Sequence, residues 1–290
     1  MNILSYNPGN FDELVRFLAR LNREGIHYIG YLGEQKSEIT HNLELFTQPL
    51  PDGFHLAYQD SCLCGALGVE YDHDVSRAWL HGPFCDAEDW QAVADRLYAE
   101  TVRSIPCEIR EHEIYCDARN LDCRMFAERQ GFMLVNECLI LSLEQGPVMG
   151  TADAQISNYA HRYKNPLIEL HTLLFPNTYL TARQMLDWLC EDIELFIFAE
   201  EDAFQGYIFF SYNVETGEGY FDFMGVNPRA QGRGIGRRLL LAAICRCFEF
   251  PEIERITCSV SKINDPILHL TRSIGFADER TMCVYHRRMD

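Results

Sequence analysis

Two stretches of this chain read as copies of one pattern set 144 residues apart. The run IYCDARNLDCRMFAERQGF ends at Phe132, and ITCSVSKINDPILHLTRSIGF ends at Phe276. Asn120 aligns with Asn264, Gly131 with Gly275 and Phe132 with Phe276. Each copy reads as a strand followed by a helix that an asparagine caps and a glycine stops. Upstream, HLAYQDSCLCGALGVEY has the look of a hairpin, followed by a strand over 78–84 and a helix from about Trp90 to Val102. ELFIFAEEDAFQGYIFFSY, the strand Tyr220–Val226 and a helix to Phe248 repeat that order. Strand alternation and helical spacing hold in both copies. A repeat of this length in 290 residues predicts two similar domains, 1–146 and 153–290, joined through the small-residue stretch Gln145–Ala154.

The copies part company at one turn. The second has YFDFMGVNPRAQGRGIGRRLLL, in which an apolar strand runs into a turn bared by Gly232, Gly234 and Gly236. Such a turn lets main-chain amides close on a ligand, and the helix beginning near Ile235 adds the partial positive charge of its N-terminus. Arg229, Arg233, Arg237 and Arg238 crowd the same ten residues of a chain whose net charge is -18. A bound polyphosphate explains this basic knot. In the first copy the matching stretch is PFCDAEDWQ, which has no glycine but carries Asp86, Glu88 and Asp89. Carboxylates suit a helix N-terminus and repel a diphosphate. The first copy is therefore expected to keep the fold and to have lost the ligand.

Spacing separates the candidate phosphate turns. A Walker A loop needs Lys and then Ser or Thr after its last glycine, and neither is present. In a dinucleotide fingerprint counted from Gly232, the third glycine position holds Arg237. What remains is Val226-Asn227-Pro228 followed by Gln231, Gly232, Gly234, Ile235 and Gly236. This resembles the V-x-P-x-x-R/Q-G-x-G-I/V-G acyl-CoA loop of the GNAT superfamily of N-acetyltransferases. The run from Asn264 through Leu270 to Gly275 and Phe276 is similar to that family's later N-x-x-A-x-x-L-Y-x-x-x-G-F segment. Tandem members with one degenerate half share the overall layout. The implied fold is α/β: two tandem GNAT-like domains, each a mostly antiparallel twisted sheet flanked by helices.

The resemblance implies direct transfer of an acetyl group from acetyl-CoA to an amine of a small molecule or peptide. Backbone amides over Gln231, Gly232, Arg233, Gly234, Ile235, Gly236 and Arg237 would take the diphosphate. The strand edge at Met224, Gly225 and Val226 would pair with the pantetheine arm, with Asn264 either touching that arm or only capping its helix. An amide near Val226 would stabilise the oxyanion, a contribution typically worth about 3 kcal/mol. Simple alternation puts Glu218, Tyr220, Asp222, Met224 and Val226 on one strand face, which makes Asp222 and Glu218 the candidate bases. Either carboxylate has a second reading, as the partner of a nearby arginine. Thr271 stands where the family places a tyrosine acid, and a hydroxyl of ordinary acidity is a poor replacement. A catalytically weak acyl-CoA-binding sensor or scaffold is the alternative this leaves open.

FDELVRFLARLNREG and SEITHNLELF read as amphipathic helices, with KNPLIELHTLLF and TARQMLDWLCED as their counterparts. In the family such helices wall the acceptor pocket, so His171, Tyr179 and Trp188 either touch substrate or pack. Net charge is -13 up to Gly146 and -5 beyond it, which argues against nucleic acid and either suits a cationic acceptor or serves only to keep the protein soluble. No apolar run reaches a membrane span, and the first residues lack the pattern of a signal peptide. Twelve cysteines in such a chain are expected to be reduced thiols of a cytoplasmic protein. Neither C-x-C pair, Cys62/Cys64 or Cys245/Cys247, has a histidine spaced to complete a metal site. Whether the chain forms a homodimer is left open.

Overall fold

The structure is a computed structural model that describes residues 1–146 and 153–289. Most of the expected linker, 147–152, lies outside the described residues. The first half holds β1 (Asn2–Ser5), α1 (Phe11–Asn22), α2 (Lys36–Glu44), a single turn α3 (Leu50–Gly53), β2 (Phe54–Gln59), β3 (Cys62–Asp72) and β4 (Arg77–Cys85). It continues through α4 (Trp90–Ser104), β5 (Glu111–Asp117), α5 (Leu121–Arg129) and β6 (Met133–Glu144). The second half opens with β7 (Ile156–Asn158), α6 (Lys164–Leu174), α7 (Ala182–Asp187), β8 (Ile193–Glu200) and β9 (Ala203–Asn213). β10 (Glu218–Val226), α8 (Ile235–Cys247), β11 (Arg255–Ser261), α9 (Asp265–Ile274) and β12 (Ala277–Arg288) complete it. The asparagine caps form as read: Asn120 Oδ1 accepts from Cys123 N–H at 3.1 Å, and Asn264 Oδ1 from Ile267 N–H at 3.5 Å. Among the described residues no helix is long and apolar enough to cross a membrane.

The compact units do not coincide with the contiguous halves 1–146 and 153–290. One unit comprises Met1–Cys138 and the last strand from Arg280 on; the other comprises Leu139–Glu279. Strand order in the first is β1-β2-β3-β4-β5-β12, and in the second β6-β11-β10-β9-β8-β7. Each unit thus closes its sheet with the final strand of the other half. Met282–Arg288 run antiparallel to Glu111–Asp117, and Cys283 and Tyr285 enter the first core. Leu141 from β6 enters the second. Both closing strands follow the same Gly-Phe corner, and a ladder of main-chain bonds does not distinguish them. Exchange of an equivalent strand therefore costs little.

Within each unit the sheet is mostly antiparallel, and the described residues include a short parallel pairing. β4 meets β5 only over Arg77–Leu80, and β10 meets β11 only over Glu218–Phe221. Past those residues the parallel strands part, while β10 stays paired with β9 as far as Val226. The first register pair of each parallel ladder is an ion pair, with its charges reversed between units. Arg77 meets Glu111 at 2.7 Å on one, and Glu218 meets Arg255 on the other. The second unit packs both faces of its sheet. Leu239, Ala243, Ile244 and Leu268 join Phe210 and Phe221 under α8 and α9. Leu167, Leu170 and Met185 join Tyr207, Phe209 and Phe223 under α6 and α7.

Candidate active site

The glycine turn opens where β10 has left β11. Gly232 and Gly234 have φ of +77° and +78°, a region that costs an L side chain roughly 1–2 kcal/mol. A Cβ on either would meet nothing within 4 Å, so the space above the turn is clear. Gly234 is the N-cap of α8, and the first helical bond runs from Arg238 N–H to Gly234 O. The amides of Ile235, Gly236 and Arg237 precede that bond and have no intrahelical acceptor. Beside them, a Cβ on Gly236 would lie 3.6 Å from Leu270, 3.7 Å from Met224 and 3.8 Å from Val226. A bare polar rim and an apolar floor therefore adjoin, which fits a diphosphate and the thin arm that follows it.

The arginine knot divides in two. Arg233 is held by Glu200 at 2.6 Å and Arg238 by Asp153 at 2.5 Å. Arg229 and Arg237 are exposed and, among the described residues, unpaired with a carboxylate; Arg237 reaches Ser273 Oγ at 3.2 Å. They are the cations left for an anion. The free edge of β10 follows from its hydrogen bonds. Asn227 N–H bonds Gln205 O on the β9 side, so alternation turns the main-chain groups of Val226 and Met224 to the other edge. There Gln231 Nε2 donates to Val226 O at 3.2 Å, which places its side chain on the same edge.

Alternation along β10 fails at Asp222. Phe221 pairs with Phe210 and Phe223 with Phe209, which leaves Asp222 as the extra residue of a β-bulge. Phe221 packs under α8 and α9, whereas Phe223 packs under α6 and α7. Met224 and Val226 consequently turn to the α8 side. The expected single face from Glu218 to Val226 is therefore broken, because one inserted residue reverses every side chain beyond it. The bulge aims Asp222 at the loop between α6 and α7, where the Tyr179 hydroxyl donates to its Oδ1 at 2.5 Å. Desolvation raises the Asp222 pKa from its ordinary 3.8 to about 6, against the opposing pull of that hydroxyl. A half-buried carboxylate of this kind is ionised at neutral pH and basic enough to accept a proton.

The other candidates fare differently. Glu218 is engaged by Arg255, which also reaches Glu279 at 3.0 Å. Its role as the partner of an arginine holds, and its carboxylate is not poised as a free base. Thr271 is corrected outright: it is 2% exposed, and its hydroxyl donates to Ile267 O at 3.0 Å and Leu268 O at 3.2 Å. A hydroxyl satisfied inside its own helix is not an acid for a leaving group. Thr271→Ala is accordingly expected to leave acetyl transfer within about threefold of wild type while costing about 1 kcal/mol in denaturant unfolding. Of the three aromatics, His171 is buried, whereas Tyr179 and Trp188 are 41% and 53% exposed. Sequence reasoning missed the bond from Tyr179 to Asp222, since 43 residues separate the two and no local pattern links them.

The equivalent corner of the first unit is closed by its own side chains. Asp89 caps α4, its Oδ1 accepting from Ala92 N–H at 3.1 Å, where the second unit has bare Gly234. Asp86 is salt-bridged to Arg20 at 2.7 Å. A carboxylate already occupies the helix end that a diphosphate would need.

Residues 164–276 match the model of the acetyltransferase (GNAT) family. A GCN5-related N-acetyltransferase from Sphaerobacter thermophilus superposes with a TM-score of 0.77 at 14% identity, over 99% of this chain and 95% of that one. A tandem GNAT protein from the clavulanic acid biosynthesis pathway gives 0.70 at 13%, over 99% and 98%. An acetyltransferase structure from Pyrococcus horikoshii gives 0.65 at 12%, over 100% and 89%. No curated protein matches by sequence. These likenesses establish the tandem fold along the whole chain.

Proposed function

We infer, for a chain whose residues 164–276 form a GNAT-family acetyltransferase domain, that the protein moves an acetyl group from acetyl-CoA directly to a primary amine. The observation that carries the reading is the bulged Asp222, on the same strand that leads into the bare N-terminus of α8. Acetyl-CoA supplies an activated acyl carbon and a thiolate leaving group.

The chain's own groups would act in sequence. Amides 235–237, with Arg229 and Arg237, hold the diphosphate; Met224, Val226 and Leu270 line the arm. Holding two reactants in register is worth several kcal/mol. Asp222 takes a proton from the incoming ammonium, which frees the nitrogen lone pair to attack, and the Tyr179 hydroxyl steadies the carboxylate while it does so. The Val226 N–H, on the open edge of β10, donates to the acyl oxygen as negative charge develops there. With Thr271 turned inward, water is the proton source for the departing thiolate. The net -18 charge favours a cationic acceptor, by raising its concentration near the surface.

Incubation with acetyl-CoA and a panel of polyamines, aminoglycosides and basic peptides, read by the mass gain of one acetyl group, tests the reading. Silence across the panel with acetyl-CoA bound would favour the second reading, an acyl-CoA sensor or scaffold. That reading rests on Thr271 standing where the family has its tyrosine.

The two units are expected to differ in ligand protection. Acetyl-CoA should slow hydrogen exchange at 235–237 and leave the start of α4 at 90–92 unchanged, because Asp89 already caps that helix. Protection at 90–92 alone would reverse the assignment.

A further inference from the structure

His171 is 1% exposed, yet both of its ring nitrogens are used. Nε2 lies 2.9 Å from Leu180 O, which can only accept, so Nε2 carries the proton. Nδ1 lies 2.6 Å from the Tyr207 hydroxyl, which donates to it in the neutral ring. Burial lowers the His171 pKa, which keeps that neutral form. Tyr207 is itself fully buried, and its ring fits where Gly225 has no side chain: a Cβ there would come within 2.6 Å of it. This pair is therefore anchored on β9 and β10, the strands that carry the bulge.

Leu180 is the residue after Tyr179. Thr178 closes the same corner, its hydroxyl donating to Leu180 O at 2.8 Å and accepting from Leu180 N–H at 3.2 Å. The Tyr179 ring rests 5.0 Å from Phe223, whose other neighbours are His171 at 4.9 Å and Phe175 at 5.0 Å. The loop between α6 and α7 is thus tied down on both sides of an exposed tyrosine, and that tyrosine's hydroxyl ends on Asp222. Packing alone would not require a polar ring here, since leucine or phenylalanine would fill the same volume. What histidine adds is a donor for Leu180 O.

We propose that His171 is a positioning residue: by clamping the Leu180 carbonyl it fixes the loop that keeps the Tyr179 hydroxyl on the Asp222 carboxylate. The inference rests on reading Asp222 as the base, and it deepens that reading by assigning the base a support 51 residues away in sequence. Desolvation and the Tyr179 hydroxyl are the influences that set the proton affinity of Asp222. Loosening the clamp therefore has a readout that a packing role would not give.

The test follows the side-chain carboxyl carbon of Asp222 by NMR through a pH titration of the folded protein. Tyr179→Phe removes the hydroxyl and should raise the midpoint by about one pH unit. His171→Leu should raise it by a similar amount, and the double variant should move it no further than either alone. Tyr207→Phe, which removes a single oxygen and is the milder substitution, should shift it the same way by less. His171→Gln, whose amide can reach Leu180 O, should restore most of the wild-type midpoint. An unmoved midpoint in both His171→Leu and Tyr207→Phe overturns the clamp, as does additivity in the double variant. Should His171→Leu not fold, Tyr207→Phe and His171→Gln decide the matter. Because the measurement reads Asp222 and not turnover, it stands apart from the acetylation assay. Shifts as stated with no amine acetylated would retain the clamp and remove the catalytic reading, whereas acetylation with no shifts would do the reverse.

Discussion

Asp222→Asn is expected to lower kcat/KM for acetyl transfer by roughly 10²–10⁴-fold, the usual span for loss of a positioned general base. Asparagine has the same shape and can still accept from the Tyr179 hydroxyl, so the loss would report the proton acceptor and not the fold. The pH dependence sharpens this. In the wild type, activity should rise with pH through about 6, where burial has placed the Asp222 pKa, and that ascending limb should vanish in the variant. Stability should move the other way. The folded pKa lies above the ordinary 3.8, so what this group contributes is whole below about pH 4 and lost as pH rises through about 6. The asparagine variant should match wild type near pH 4 and exceed it above pH 6. The gain should be up to about 2 kcal/mol, less than the full shift implies because the carboxylate is only half-buried. Urea unfolding at pH 4 and pH 7.5, beside initial rates at both, checks each half. A variant that keeps its activity within threefold, together with the ascending limb, would assign the proton to another group.

Gly234→Asp is expected to weaken acetyl-CoA binding at least about 100-fold, or roughly 2.7 kcal/mol. The substitution gives α8 what Asp89 gives α4, a carboxylate that accepts from the first turn's amides. Those are the donors the diphosphate needs, and the new charge repels it as well. The fold should survive. A Cβ at 234 meets open space, aspartate tolerates a φ of +78° better than most residues, and a side-chain cap in place of glycine offers a few tenths of a kcal/mol in return. Calorimetric titration would read the affinity, and thermal melts without ligand would read the scaffold. Gly234→Asn is the control: it has the same shape without the charge and should lose much less. Equal affinity in the aspartate variant would move the diphosphate away from this helix.

Several features were legible in the chain because they are local. Asn120 and Asn264 cap their helices through bonds to amides three residues on. The open turn was legible because only glycine holds φ near +78° twice in three residues without strain. The loss of that turn in the first unit was equally plain from Asp89, whose carboxylate takes the helix end. Three things were not local. The bulge at Asp222 leaves no mark on an alternating strand, so Met224 and Val226 were assigned to the wrong face. Thr271 lies on the expected helix, but which way its hydroxyl turns depends on the core around it. The exchange of β6 and β12 depends on which of two similar strands completes each sheet.

What the sequence by itself determined was the repeat, the order of elements and the glycine-bared turn at the head of α8. Each is written in propensities and spacings that act within a few residues, where the chain's geometry leaves little choice. Only the tertiary structure decided that Asp222 is the carboxylate with raised proton affinity, while Glu218 is tied to an arginine and the Thr271 hydroxyl turns into its own helix. That choice needed an extra residue in one strand and a tyrosine brought from 43 positions away. It also needed an arginine to occupy the rival carboxylate. Proton affinity is a property of surroundings, and surroundings are assembled by packing between distant segments.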